Sequence, residues 1–362
     1  MSIPDSPAPP SAPQPALPPG TAPAPSLAPP SRRALGKRLA AVVLGLAAAV
    51  TAMLTAFALP AIHSGPHRIP VGVTGPPAVT QPLQRTLDGG AWRVTAYPDE
   101  NVLKAAVHDR KVAGGLAFPA GQVHVYTATA GGQQATAAIT ALAGTLAARQ
   151  GTGTTVTDLA PFPARDPRGA GFGTATLPLI FGGLFPALVL VRLFPSRFGL
   201  GLRLAGAAAF SLVAGAGVAA LLQFGTGTLD GSYLRNAAGL ALGMAALSIA
   251  LLGLHAAAGT PALGAGVVVV FVLGNPLSAL ATGPHWLPDG WAAVGQLLPP
   301  GAAGTLLRAN AYFGGHGAGT AAATLGVWVA AGLALALVAG RPRRAPGADP
   351  AAVRAVAGHR PA

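Results

Sequence analysis

FGTATLPLIFGGLFPALVLV, residues 172–191, is followed by LAGAAAFSLVAGAGVAALLQ (204–223), NAAGLALGMAALSIALLGL (236–254) and ALGAGVVVVFVLGNPLSALATG (262–283). None of the four contains Asp, Glu, Lys or Arg. Each is close to the roughly 20 residues that a helix needs to cross a bilayer. Lipid offers backbone groups no water partner, so such runs must close their hydrogen bonds within a helix. Two further runs, Leu39 to Ile62 and Thr320 to Gly340, flank the block. The pattern predicts six membrane spans.

Composition agrees. Only 9% of the 362 residues are charged, against about 25% in soluble domains, and the mean hydropathy is +0.53. The net charge of +13 would fit nucleic acid. Here the basic residues gather at the ends of apolar runs and aromatics make up only 6%, so membrane topology explains the charge and no nucleic-acid partner is expected. There is no Cys, which excludes disulfides, thiolate nucleophiles and Cys metal sites.

Met1 to Ser31 is rich in Pro, Ala and Ser and reads as a disordered cytoplasmic tail, or as a polyproline ligand. Arg32, Arg33, Lys37 and Arg38 precede the first run and place the N-terminus in the cytoplasm. That run is longer than the apolar core of a signal peptide, so it reads as an uncleaved span.

Ile69 to Phe162 is the soluble-looking part. Strands are predicted at Ile69–Val73, Trp92–Tyr97, Leu116–Pro119, Gln122–Thr129 and Thr154–Leu159. Helices are predicted from Pro76-Pro77 to Leu87, from an N-cap at Asp99 to Lys111, and over Gln133–Gln150. The order β-α-β-α-β-β-α-β describes a small α/β sandwich.

Arg192, Arg197 and Arg203 mark the turn after the second span as cytoplasmic, and Arg341, Arg343 and Arg344 mark the end of the sixth. His255 to Pro261 reads as a tight inner turn. The reading is thus a membrane all-α domain of six transmembrane helices with an extracytoplasmic α/β domain inserted between helices 1 and 2. Its parts are a tail (1–31), basic flank and helix 1 (32–62), the α/β domain (63–170), helices 2–6 with an outer hairpin at 284–319 (171–340), and a basic cytoplasmic tail (341–362). The predicted location is the plasma membrane, multi-pass, with both termini cytoplasmic.

No phosphate-cradling P-loop occurs, since Gly36-Lys37 is followed by Arg38. No H-E-x-x-H or nucleophile elbow is present, and the eight His are scattered. His63 and His67 straddle Pro66 and read as solvated rather than metal-binding. No acid, base and nucleophile fall into a constellation, so neither an enzyme nor a cofactor is expected. Charge-free spans argue against ion-coupled transport. Gly239 with Gly243, Gly182-Gly183 and Gly215 with Gly217 mark close helix packing, within one chain or at a homodimer seam. Asn275-Pro276 breaks the fifth run. Pro299-Pro300 then opens a short helix-like run carrying Arg308. The segment reads either as a partly re-entrant hairpin or as an interfacial helix on the outer leaflet.

Asp109-Arg110-Lys111-Val112-Ala113-Gly114-Gly115-Leu116, a helix end feeding a strand, and Leu297-Leu298-Pro299-Pro300-Gly301 with Thr305-Leu306-Leu307-Arg308 stand in an order of one span, a large outer domain and five spans. In these features the chain resembles ABC-2 type transporter permeases of the subset with a large first outer domain, the YhgE/Pip-like (phage infection protein) and DUF3533-like proteins. The resemblance covers Leu39 to Gly340. It implies a membrane pathway for a lipophilic or amphipathic substrate, powered by a separate nucleotide-binding ATPase subunit. It also implies that the loop after the second span, here Phe194, Arg197, Phe198 and Arg203, touches that subunit; the plainer reading of the loop is a basic tether. The outer hairpin would involve Asn275, Pro276, Pro299, Pro300 and Arg308. Membrane lipid, an ATPase and a second copy are the expected partners. The alternative is a non-transporting envelope protein that uses its α/β domain as a receptor or assembly module.

Overall fold

The computed structural model describes residues 32–62, 65–119, 121–194, 199–280, 283–288 and 290–340. The chain divides into a unit ending at Val50 and a unit running from Thr51. Helix α1, Arg32–Ile62, spans that boundary and includes the basic flank, starting at Arg32 rather than at Leu39.

The α/β lobe follows the expected order. It contains β1 (Ile69–Thr74), α2 (Pro77–Leu87), β2 (Trp92–Ala96), α3 (Glu100–His108), β3 (Gly114–Ala117), β4 (Val123–Thr127), α4 (Gln133–Gln150) and β5 (Thr154–Asp158). The five strands form one mixed sheet in the order β2-β1-β3-β4-β5. All pairs are parallel except β3 with β4, which the tight turn after Pro119 makes antiparallel. Strand β1 is buried along its whole length, as a central strand covered on both faces should be. Asp99 caps α3 by accepting from the Asn101 and Val102 amides at 2.8 and 2.9 Å. Asp99→Ala should therefore lower lobe stability by about 1 kcal/mol; a thermal midpoint unchanged from wild type would contradict this.

Alternation along the strands sends two sets of side chains to opposite faces. Ile69, Val71, Val73, Val94 and Leu116 meet Ile139 and Ala143 of α4 and Leu83 of α2. Ala117 and Tyr126 face Leu103 and Val107 of α3, and on this side the cover is completed by Phe313 and Tyr312. Those two aromatics lie far along the chain, beyond the second to fifth predicted spans.

The helical part contains α5 (Ala170–Thr174), α6 (Thr176–Leu193), α7 (Leu200–Ala220), α8 (Tyr233–Val269), α9 (Asn275–Leu277), α10 (Trp291–Leu297), α11 (Pro299–Tyr312) and α12 (Gly319–Ala339). Single π-helical turns, Leu221–Gly225 and Val270–Gly274, extend α7 and α8. Among the described residues, five helical stretches are long and apolar enough to cross a membrane: Leu35–Thr55, Ala170–Leu193, Leu200–Gly225, Tyr233–Gly274 and Gly319–Ala339. This is the make-up of a multi-pass membrane protein.

The fourth and fifth expected runs are the two arms of one 42-residue stretch, Tyr233–Gly274, broken by a kink. Gly259 leaves the helical backbone inside it, at φ 75° and ψ −164°, just before Pro261. A Cβ on Gly266 would lie 2.7 Å from Leu251. Fifteen residues of straight helix would hold those two positions roughly 22 Å apart, so the element folds back on itself at Gly259. Its first arm is buried almost continuously from Gly239 to Gly253 and packs against α6, α7, α11 and α12. A helix apolar on all sides is the expected centre of a bundle.

The small residues pack within the chain. Gly243 lies against Ala303, Gly182 against Met244, Gly183 against Leu247, and Gly215 against the backbone of Ala237 and Ala241. These contacts give most of the small-residue spacing an intramolecular use. Gly217 has nothing within 4 Å.

Candidate functional site: an arginine-lined seam under the lobe

Helix α11 organises the site. Twelve of its fourteen residues are buried, so it is an interior helix and not one lying on a membrane surface. It begins where three backbone segments cross. A Cβ at Gly295 would collide with the Leu277 carbonyl oxygen, and one at Gly301 with the carbonyl oxygen of Gly295. Pro300 packs on Gly274, so the broken end of the fifth run and the Pro299-Pro300 helix start meet as one structure with Pro276 between them.

Arg308, one of the expected hairpin residues, lies at the centre of this structure. It is 5% exposed. Its Nη2 donates to the Leu280 carbonyl at 2.6 Å, and its guanidinium lies 4.7 Å from the centre of the Phe172 ring. Leu280 belongs to the non-helical backbone after α9, where a buried carbonyl needs a donor. Arg308 thus closes the broken end of the fifth run. Its Nε has no hydrogen-bond partner, and among the described residues no carboxylate pairs with it. Burial pulls its pKa down to about 10, with Arg110 adding repulsion, which still leaves it cationic at neutral pH.

Arg110 approaches from the lobe. It occupies the position after the α3 C-cap, with φ 60°. The Arg110 and Lys111 amides close the helix end on Val107 and Ala106 at 3.1 and 2.9 Å, the pattern that normally places Gly at this position. An Arg held there stores strain, and such strain flags a function for the side chain. The guanidinium donates to the Thr305 carbonyl on α11 at 3.4 Å and lies 5.2 Å from the centre of the Phe313 ring. Burial lowers its pKa as well.

Further contacts fasten the lobe to this region. The His67 amide donates to the His285 carbonyl at 3.0 Å. Trp286 packs against the α2–α4 side of the sheet. Asp109 meets the His316 ring at 3.1 Å, and His108 lies beside it with ring centres 5.1 Å apart. Two His and one Asp can jointly ligate a divalent ion. Lys111 takes the second Asp109 oxygen at 3.1 Å, and that hydrogen bond chiefly holds the carboxyl below the usual Asp range.

Two hollows flank the seam. One, of about 80 Å³, lies among Arg110, Val112, Ala135, His285, Trp286 and Phe313. The other, of about 310 Å³, is bounded by Gln133, Phe162, Arg168, Phe172, Leu280 and Arg308. Gly132, the N-cap of α4, borders both.

His285 gives the seam a pH dependence. Burial, then Arg93 and Arg110, push its pKa below the ordinary His value. In the unfolded chain it protonates near pH 6.5, while the folded site still holds it neutral. Stability is therefore full above about pH 6.5 and falls as the pH drops below it, until the folded site protonates too. The thermal midpoint should drop more between neutral and mildly acid pH in wild type than in His285→Gln; parallel pH profiles would contradict this.

The other expected residues lie elsewhere. Phe194 ends α6, and Arg203 Nε donates to its carbonyl at 2.6 Å. Arg203 is buried and tucked against the helix end. Arg197 and Phe198 lie outside the described residues, as does His63. Sequence reasoning missed Leu280 and Phe172 as partners of Arg308, Phe313 as the partner of Arg110, and Arg168 on the wall of the larger hollow. The available signal was an Arg at a helix end where Gly is usual, together with the one Arg in the 284–319 hairpin.

No family model matches the chain, and no curated protein matches it either.

Proposed function

We propose that the chain is the membrane subunit of an ABC-2-like exporter, forming the pathway for a lipophilic or amphipathic substrate and driven by a separate ATPase subunit. The observation that carries this reading is a bundle centred on α8 in which the interior helix α11 bears directly on a large lobe. Movement of the bundle would be felt at the lobe through Phe313 and Arg110. The folded-back Tyr233–Gly274 element supplies two crossings, six in all with the other four stretches. That count returns the chain to the same side after α12 and leaves the Arg192–Arg203 turn and Arg341 to Arg344 together on the cytoplasmic side. The charge-free spans need an outside energy source, and the chain carries no P-loop of its own.

Gentle-detergent purification from the native membrane tests the reading. An ATPase subunit should copurify, and ATP should drive movement of an amphiphilic dye in vesicles containing both proteins. If no ATPase accompanies the chain and ATP changes nothing, the reading fails. A receptor or assembly role is favoured by one feature, the edge strand β5, whose five residues are all exposed. Such an edge can pair with another chain.

A further inference from the structure

We infer that the 310 Å³ hollow under α4 is a binding site for the oxyanion head group, phosphate or carboxylate, of an amphiphilic molecule. Three observations converge on it. The first is Arg308, a buried cation on the wall of the hollow, with an unpartnered Nε and, among the described residues, no carboxylate to neutralise it. A buried charge without a counter-ion is strongly unfavourable. The single bond to Leu280 satisfies one of the five N–H groups a guanidinium carries. The second is Arg168 on the same wall, whose exposed side chain makes no hydrogen bond or ion pair among the described residues and whose carbonyl is held by Gln133 Nε2 at 2.5 Å. The third is the start of α4, an eighteen-residue helix whose N-cap, Gly132, has no side chain to occupy the first-turn amides. Open amides at a helix start, with the helix dipole behind them, favour an anion.

Among the described residues, no Asp or Glu lines the hollow. The nearby Asp166 carboxylate accepts from the Ala170 and Gly171 amides, at 2.9 and 2.8 Å, and is engaged at the start of α5. The remaining walls, Phe162, Phe172 and Leu280, are apolar. Charge on one side and rings on the other suit a molecule with an anionic head and an apolar body. The volume is at the small end of the range for ligand pockets, about 300–1,000 Å³, and so suits a head group rather than a whole lipid. The hollow also abuts α5, at the end of the Ala170–Leu193 stretch where head groups lie if that stretch crosses the bilayer.

The test compares thermal unfolding of the full chain in phosphatidylcholine nanodiscs, in the same discs with phosphatidylglycerol, and in phosphatidylcholine discs with added inorganic phosphate. Native mass spectrometry counts the retained lipid. Phosphatidylglycerol should raise the midpoint and stay bound. If phosphate alone raises it too, the site reads the oxyanion and takes it from either source; if only the lipid does, the apolar body is required. Arg168→Gln, which alters an exposed side chain and should fold normally, should weaken the effect roughly tenfold. Arg308→Lys should weaken it while keeping the charge. No midpoint change with either probe, or equal binding by Arg168→Gln, overturns the proposal. The site requires a chain lying in a membrane but no ATPase partner. Failure here, with an ATPase still copurifying, would leave the exporter reading intact.

Discussion

Gly295→Ala should disable folding of the membrane part, and no other single methyl group is expected to have a larger effect. At Gly295 the chain passes the Leu277 carbonyl so closely that a Cβ has nowhere to go, and Gly301 makes the matching approach to Gly295 itself. Both obstacles are backbone atoms, which cannot rotate aside as a side chain can. Relief would require α9 or α11 to move, and α11 is packed against α6, α8, α10 and α12. Overpacking a tight core costs about 1–3 kcal/mol, and a backbone collision should exceed that. The expected result is loss of the monodisperse species in detergent and a sharply lower thermal midpoint. Gly144→Ala is the control: it lies in α4 with nothing within 4 Å. Removing a helical glycine there should be neutral or stabilising by up to about 1 kcal/mol. Equal behaviour of the two variants would contradict the crossing.

Phe313→Ala should release the lobe from the bundle. The ring is 1% exposed and completes the lobe's core on the α3 face. It also supports Arg110 and lies against Gly131. Truncating a buried Phe costs about 3–5 kcal/mol. The loss should be felt at the junction, because the face it uncovers belongs to the lobe while its backbone belongs to the end of α11. Limited proteolysis should then cut between the lobe and α6, and hydrogen exchange should rise at α3 and at 311–317 together. A rise confined to 311–317 would mean that the lobe's second face holds without the ring.

The lobe was legible in the sequence because its signals are local. Asp99 caps α3 as expected, Gln133 to Gln150 is helical over the predicted span, and β1 differs from its predicted range by one residue. Each depends on alternation, capping or a turn within a few residues. The bundle was legible as a series of long apolar runs; among the described residues five helical stretches are long enough to cross a membrane, and the fourth and fifth expected runs share one of them. Gly259 and Pro261 were read as a turn between two helices, and the backbone does leave the helix at Gly259, where the two arms fold back on each other. The end of the fifth run was placed at Gly283, but regular helix stops at Leu277. The seam was the least legible. Arg308 meets a carbonyl 28 residues earlier, and Arg110 meets one 195 residues later. No periodicity spans such distances. Pro299-Pro300 and Arg308 were noticed only because they interrupt an apolar context, and their partners came from the three-dimensional structure.

The absence of cysteine allows the central claim to be measured directly. The claim is that the lobe lies across the membrane from the Arg192–Arg203 turn. Two single-cysteine variants, Thr155→Cys on the exposed strand β5 and Gly201→Cys at the exposed start of α7, can be treated with a membrane-impermeant maleimide. In intact cells, position 155 should be labelled and position 201 should react only after lysis. Labelling of 201 but not 155 in intact cells, or of both alike, would contradict the account.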